Sequence, residues 1–264
     1  MVSIRKWFRH QPVRHPLRGA ELPLRAALFS TEQMKQHGKT LAGTHQVGRR
    51  GSPAQLLQRL EDNESVLTEV YQLLTAAVQT RRRVAPAGEW LLDNFYLIEE
   101  QIATAQRYLP NAYILELPRL MDGPSAGLPR VYDIALEIVS HSDGQLHMEA
   151  LTGFVGAYQT VTVLNLGELW AIPIMLRLAL IENLRRVGAT MVVGTIDRIS
   201  ADYWADRLTK VAEEKPARLV AVVGDMVRSI PAMSSSFVAE FARRLQGKSS
   251  ALGLPVRWVE QQLS

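Results

Sequence analysis

The chain of 264 residues contains no cysteine. This excludes a disulfide scaffold, a thiolate metal site and a cysteine nucleophile, and it suits a reducing compartment. Long apolar runs are missing too. The longest, Leu169 to Leu176, is broken by Arg177, well short of the ~20 residues that span a bilayer. Arg5, Lys6 and Arg9 could open a signal peptide, but no apolar stretch follows them. There is no Walker-type loop, no glycine-rich fingerprint after a strand and no Gly-x-Ser-x-Gly elbow. An NTPase phosphate cradle, a dinucleotide site and an α/β-hydrolase nucleophile therefore have no basis here. Of the six histidines, His141 and His147 flank a Ser-Asp-Gly turn. Their separation of six does not fit the i, i+4 spacing of helical metal ligands. No catalytic, cofactor-binding or metal residue is assigned, and the chain is expected to be soluble and made in the cytoplasm.

What is present is charge, unevenly spread. Residues 1–50 hold ten Lys and Arg against two acids, Glu21 and Glu32, or about +8, which leaves about −4 on the rest. Such a basic arm can meet anionic lipid, nucleic acid or an acidic protein face, or remain a solvated, partly disordered lead-in. Only Trp7 and Phe8 interleave its charges, and no recognition motif follows, so nucleic acid is not the expected partner.

Residues 21–41 predict a short helix with Leu24, Leu28 and Met34 on one side, and 42–53 read as a glycine-containing linker. Ser52-Pro53 has the form of an N-cap with proline at the first helical position. The arm and linker are thus placed at 1–51 and a helical domain at 52–264, with a possible subdivision near 188. From Pro53 to Gln79 the residues Leu56, Leu60, Leu67, Tyr71, Leu74 and Val78 recur at helical spacing. Arg81 to Arg83 close that helix at its negative end. A second helix runs from Pro86 to about Tyr108, with Leu91, Phe95, Ile98 and Ile102 inward. Prolines 110, 118, 124 and 129 make 109–130 a structured connection. Further helices are expected at about 130–141, 147–161, 167–187, 189–214, 217–229, 235–246 and 255–263. Asn165 and Glu168 have capping-box spacing, and Pro173 should kink its helix. Only Thr160–Leu164 and Leu219–Val223 look β-like. The fold class is all-α, an irregular multi-helix array.

Glu89, Asp93 and Glu100 fall on one face of the helix at 86–108. Paired carboxylates could carry acid–base chemistry or hold a hydroxylated ligand. Alternatively they pair with Arg119, Arg130 or Arg177 in a structural network. Arg177, inside an apolar helix, must reach a carboxylate or the surface. Glu182 has ordinary helical partners in Arg185 and Arg186. The aromatic residues from Trp90 to Trp204 could form a sugar-stacking platform, but at this spacing they read as core and helix-contact positions.

Several long pieces carry a family resemblance. IRKWFRH, TEQMKQHGKTLA and LLQRLEDNESVLTEVYQLL come first, followed by WLLDNFYLIEEQI, LPRVYDIA, GELW and ENLRR. In this order they resemble the N-terminal segment of the cyclic β-1,2-glucan synthases, large membrane-embedded glycosyltransferases. Beyond Arg186 the likeness fades to RWVEQQL near the end. The resemblance implies a full-length enzyme with transmembrane helices, a transferase domain using UDP-glucose and a divalent metal, and a glycoside-phosphorylase-like region. No catalytic residue of the family maps onto a position here. The segment is then expected at the cytoplasmic face of the inner membrane, docked to the remaining synthase domains or another protein. The second expectation is a stand-alone helical binding or regulatory module.

Overall fold

The computed structural model describes residues 21–48, 54–230, 233–246 and 248. Ten α-helices are described: α1 Thr31–Thr44, α2 Ala54–Gln79, α3 Pro86–Asp93, α4 Phe95–Tyr108, α5 Asn111–Glu116, α6 Arg130–His141, α7 Met148–Gln159, α8 Leu166–Glu214, α9 Leu219–Ser229 and α10 Ser235–Leu245. The all-α class holds. The described β-structure is one short antiparallel ladder, β1 Val47–Gly48 against β2 Arg119–Leu120, with an isolated bridge from Arg119 to Pro129. The expected cap at Ser52 and the helix at 255–263 lie outside the described residues.

Two compact units divide the chain. One comprises residues 21–71 and 90–188, and the other 72–89 together with the segment from Ala189 onward. In the larger unit, α6 is buried on most of its circumference. Val131, Tyr132, Ile134, Ala135, Ile138 and Val139 are all buried. Also buried in this unit are Leu56, Leu60 and Leu67 of α2, Phe95, Ile98 and Ile102 of α4, and Phe154 and Tyr158 of α7. Helices α1 and α7 meet closely. A Cβ placed on Gly38 would stand 2.7 Å from the carbonyl oxygen of Phe154, so only glycine fits there. The smaller unit has its own core, in which Trp204 and Leu208 of α8 meet Met226 of α9 and Phe237 and Phe241 of α10. Its last helix starts at Ser234, which accepts from the Phe237 amide (3.2 Å) and donates to the buried Asp197 carboxylate (2.5 Å).

Several local expectations change. On α2 the buried stripe is Leu56, Leu60, Asn63, Leu67, Val70, Leu74 and Ala77, a 4-3-4-3 repeat. Tyr71 is half-buried and Val78 exposed. The phase is set by Asn63, a polar residue on the core face with a partner described below. The helix expected over 86–108 breaks at Asn94, which lies at φ −112°, ψ 14°. Leu24 and Leu28 precede α1 rather than lying on it. Residues 167–187 and 189–214 form one uninterrupted helix that continues through Pro173. Its start is the anticipated capping box: the Glu168 amide donates to Asn165 Oδ1 (2.8 Å) and the Asn165 amide to Glu168 Oε2 (2.9 Å).

Candidate functional site

The one polar stripe of α6 is formed by Asp133, Glu137 and Ser140, with Leu136 between them. The spacings of three and four put these four on one helical face. They wall a cleft of roughly 530 Å³ inside the larger unit. Facing the cleft are four carboxylates, Glu21, Asp122, Asp133 and Glu137, against two guanidiniums, Arg59 and Arg186. Its charge therefore leans acidic, and a cation or a hydroxyl-rich ligand suits it better than an anion.

On one wall Asp133 links two donors. Ser125 Oγ donates to Asp133 Oδ1, and His45 Nε2 stands 3.1 Å from Oδ2. A carboxylate only accepts, so Nε2 is the donor. The other ring nitrogen, Nδ1, is 2.9 Å from the Tyr158 hydroxyl. The order is Ser–Asp–His. No base is placed to draw the serine proton onto imidazole, so this is not a nucleophile–base pair. Burial pushes the Tyr158 phenol above its ordinary value, against the pull of Arg130.

Glu137, which lines the cleft, is grouped with His37 and His141, and the ligand atoms of the three lie within 4.8 Å of one another. His37 Nε2 is 2.8 Å from Glu137 Oε2, and His141 Nε2 is 3.5 Å from the same oxygen. His141 Nδ1 is 2.7 Å from the Ala27 carbonyl oxygen, and the ring stacks on Phe29 at 3.8 Å between centroids. Sequence reading missed this group because it weighed His141 against His147. The signal was Glu137 and His141 at i, i+4. His37 lies a hundred residues away, and only the fold brings it in.

Behind the cleft are two buried ion networks. Glu182 is fully buried and accepts from Arg59 (3.0 and 2.8 Å), Asn63 (2.9 Å), Arg185 (2.9 Å) and Arg186 (2.9 Å). Burial alone would raise its carboxyl. The hydrogen bonds and charge of Arg59, with Asn63 and Arg186, outweigh that and hold it down at about 2. Glu21 completes the cluster through Arg185 (2.5 Å) and Arg186 (3.1 Å). Burial, reinforced by the Glu182 charge, pushes the neighbouring Tyr132 phenol far up. The second network is a two-pronged pair. Arg130 Nε meets Glu168 Oε1 (2.5 Å) and its Nη2 meets Oε2 (2.8 Å) and the Val163 carbonyl (2.8 Å). Such a fork is the geometry that lets an ion pair survive burial.

The expected site residues therefore part company. Glu182 and Arg130 lie in separate buried networks, with partners Arg59 and Glu168 that the sequence did not suggest. Arg119 is buried and donates to the carbonyls of Ile114 (3.2 Å) and Gly127 (3.1 Å), fastening the loop before α6. Burial lowers its pKa. Glu89, Asp93 and Glu100 are exposed, and among the described residues none forms an ion pair. Arg130 is engaged instead by Glu168, and Arg119 by backbone carbonyls. Arg177 is half-buried and, among the described residues, also without an ion pair. The aromatics split: Phe95, Tyr132, Tyr158 and Trp204 are core, whereas Trp90, Tyr96, Tyr108, Trp170 and Tyr203 are exposed.

Over 241 residues, 91% of its length, the chain is 30% identical to the cyclic beta-(1,2)-glucan synthase NdvB of Rhizobium meliloti (strain 1021). The chain belongs to the cyclic β-1,2-glucan synthase family. It spans 8% of the length of that relative. No protein-family model matches it. Several of the pieces that carry the family resemblance also contribute to the buried networks or the cleft. LPRVYDIA carries Arg130 and Asp133, GELW carries Glu168, and ENLRR carries Glu182, Arg185 and Arg186.

Proposed function

We propose that this chain is a non-catalytic helical segment of a cyclic β-1,2-glucan synthase, serving the enzyme by docking to its remaining domains. The UDP-glucose-dependent chemistry belongs to those domains, and the segment works at the cytoplasmic face of the inner membrane. The observation that carries the reading is an apolar stripe left open at the start of α8. Leu166 is 63% and Trp170 72% exposed, Pro173 lies exposed one turn on, and Val163 is 74% exposed just ahead of the helix. The 166-170-173-177 spacing puts the half-buried Arg177 on the same side. An exposed tryptophan in an apolar row is what an interface anchor looks like. The occupant is the rest of the synthase, since the matched relative is more than tenfold longer than the region aligned here.

The test has two arms. The purified chain is expected neither to bind UDP-glucose nor to transfer glucose from it. In a full-length synthase carrying this sequence, Leu166→Glu with Trp170→Glu is expected to lower the amount of intact enzyme recovered in membranes. Glucose transfer by the chain alone, or unchanged recovery of the double variant, would overturn the reading.

A further inference from the structure

We propose that His37, Glu137 and His141 form a binding site for a divalent transition metal of the zinc class, open to the cleft beside α6. The inference is independent of the docking role and rests on the geometry of the three side chains.

The first argument is convergence. The Ala27 carbonyl can only accept, so His141 Nδ1 carries the proton that reaches it. The other ring nitrogen, Nε2, faces Glu137 Oε2 at 3.5 Å. The same carboxylate oxygen is met by His37 Nε2 at 2.8 Å. Two imidazole nitrogens from different helices thus gather on one carboxylate oxygen, three atoms that can each serve as a metal ligand. Locking the far nitrogen of a histidine onto a backbone carbonyl is also how proteins orient imidazoles that ligate metals.

The second argument is distance. A tetrahedral ion with bonds of about 2.0–2.1 Å sets its ligands about 3.3 Å apart. The two carboxylate–imidazole separations, 2.8 and 3.5 Å, lie either side of that value. The three ligand atoms lie within 4.8 Å of one another, so closing the cage requires the two imidazoles to turn toward a shared ion. Two imidazoles and one carboxylate suit zinc and its neighbours rather than calcium or magnesium, which prefer all-oxygen sets.

The third argument is placement. Glu137 and His141 are one turn apart on the rigid α6, and α1 brings His37 across to them. The His141 side chain is only 11% exposed and is held under Phe29, whereas that of Glu137 is 33% exposed and lines the cleft with Ser140. One side of the cluster is therefore walled by protein and the other admits solvent. Three protein ligands with one open position is the pattern of a zinc site that can take water or a ligand group.

Cobalt(II) titration of the untagged full chain tests this, because tetrahedral cobalt absorbs in the visible while octahedral cobalt is nearly colourless. One equivalent should saturate an intense visible band, zinc should bleach it, and magnesium should leave it unchanged. His37→Ala and His141→Ala should each abolish the band and weaken binding by more than about 100-fold. His10→Asn with His15→Asn should leave it intact, which removes the basic arm as the source. Should His141→Ala misfold by circular dichroism, Glu137→Gln replaces it and should likewise remove the band. The proposal is overturned if no saturable band forms, or if the band survives loss of His37 and Glu137; the cluster would then be held by a proton instead of a metal.

Discussion

Glu182 has no access to water, yet it carries a charge that three guanidiniums neutralise and the Asn63 amide also hydrogen-bonds. Removing one partner from a buried ion pair costs more than the pair itself contributes, because the remaining charges are stranded. Glu182→Gln leaves Glu21, which is half exposed, as the remaining carboxylate described against Arg59, Arg185 and Arg186. Chemical denaturation of this variant should show a loss of about 3 kcal/mol. The carboxyl has a folded value well below its ordinary 4.5. A depressed acid contributes stability above its unfolded value and loses it as pH falls through the folded one. The Glu182 contribution should thus be complete at neutral pH and decay between 4.5 and about 2. Thermal melts down that range should see the gap between wild type and Glu182→Gln close; a gap that stays constant would mean the charge does not stabilise the fold.

At the scale of elements, two positions test how backbone conformation limits the helices, and they point in opposite directions. Helix α2 ends in a Schellman arrangement, in which the Arg82 amide donates to the Ala77 carbonyl and the Arg81 amide to that of Val78, both at 2.9 Å. The turning residue is Arg81, at φ 55°, where a side chain is disfavoured. Arg81→Gly should therefore stabilise the protein by about 1 kcal/mol, read from the urea midpoint. Gly38 is the converse. Its missing Cβ is what lets α1 approach the backbone of α7, so Gly38→Ala should cost about 1–3 kcal/mol. It should also disturb the ring of His37 next door.

Helices α6, α7 and α10 could be read from sequence nearly to the residue, because each pairs a clear apolar period with a turn or cap. The Asn165–Glu168 box was legible for the same reason. The break at Asn94 was not, since 86–108 keeps an unbroken apolar face across it. Of the candidate site, only local pairs could be seen. Glu182 with Arg185 and Arg186 is three and four residues apart. Arg59 lies 123 residues from Glu182, and Glu168 lies 38 from Arg130, so neither partner leaves a local signal. A polar residue inside an apolar repeat was the available clue. Asn63 on α2 and the row Asp133, Glu137, Ser140 on α6 both mark places where the interior holds a charge or opens to a cleft.

For the whole molecule, charge and apolar surface suggest two different ways of meeting a synthase at a membrane. Residues 1–50 carry about +8, and each basic residue near an anionic bilayer contributes about 1 kcal/mol. The Trp170 stripe is instead mainly apolar and belongs to the folded body. No described helix is long and apolar enough to cross a bilayer. Sedimentation with lipid vesicles separates the two surfaces. If the arm makes the contact, the chain should bind phosphatidylglycerol-containing vesicles, ignore purely phosphatidylcholine ones, and come off in 0.5 M salt, where the Debye length falls to about 4 Å from about 30 Å at 0.01 M. Removing residues 1–20 should weaken binding sharply, while Trp170→Glu should not. Equal binding to both vesicle types, lost with Trp170→Glu, would mean that the stripe faces lipid. The docking role would then have to be carried by another face of the helices, because a tryptophan buried among acyl chains cannot also anchor a protein interface.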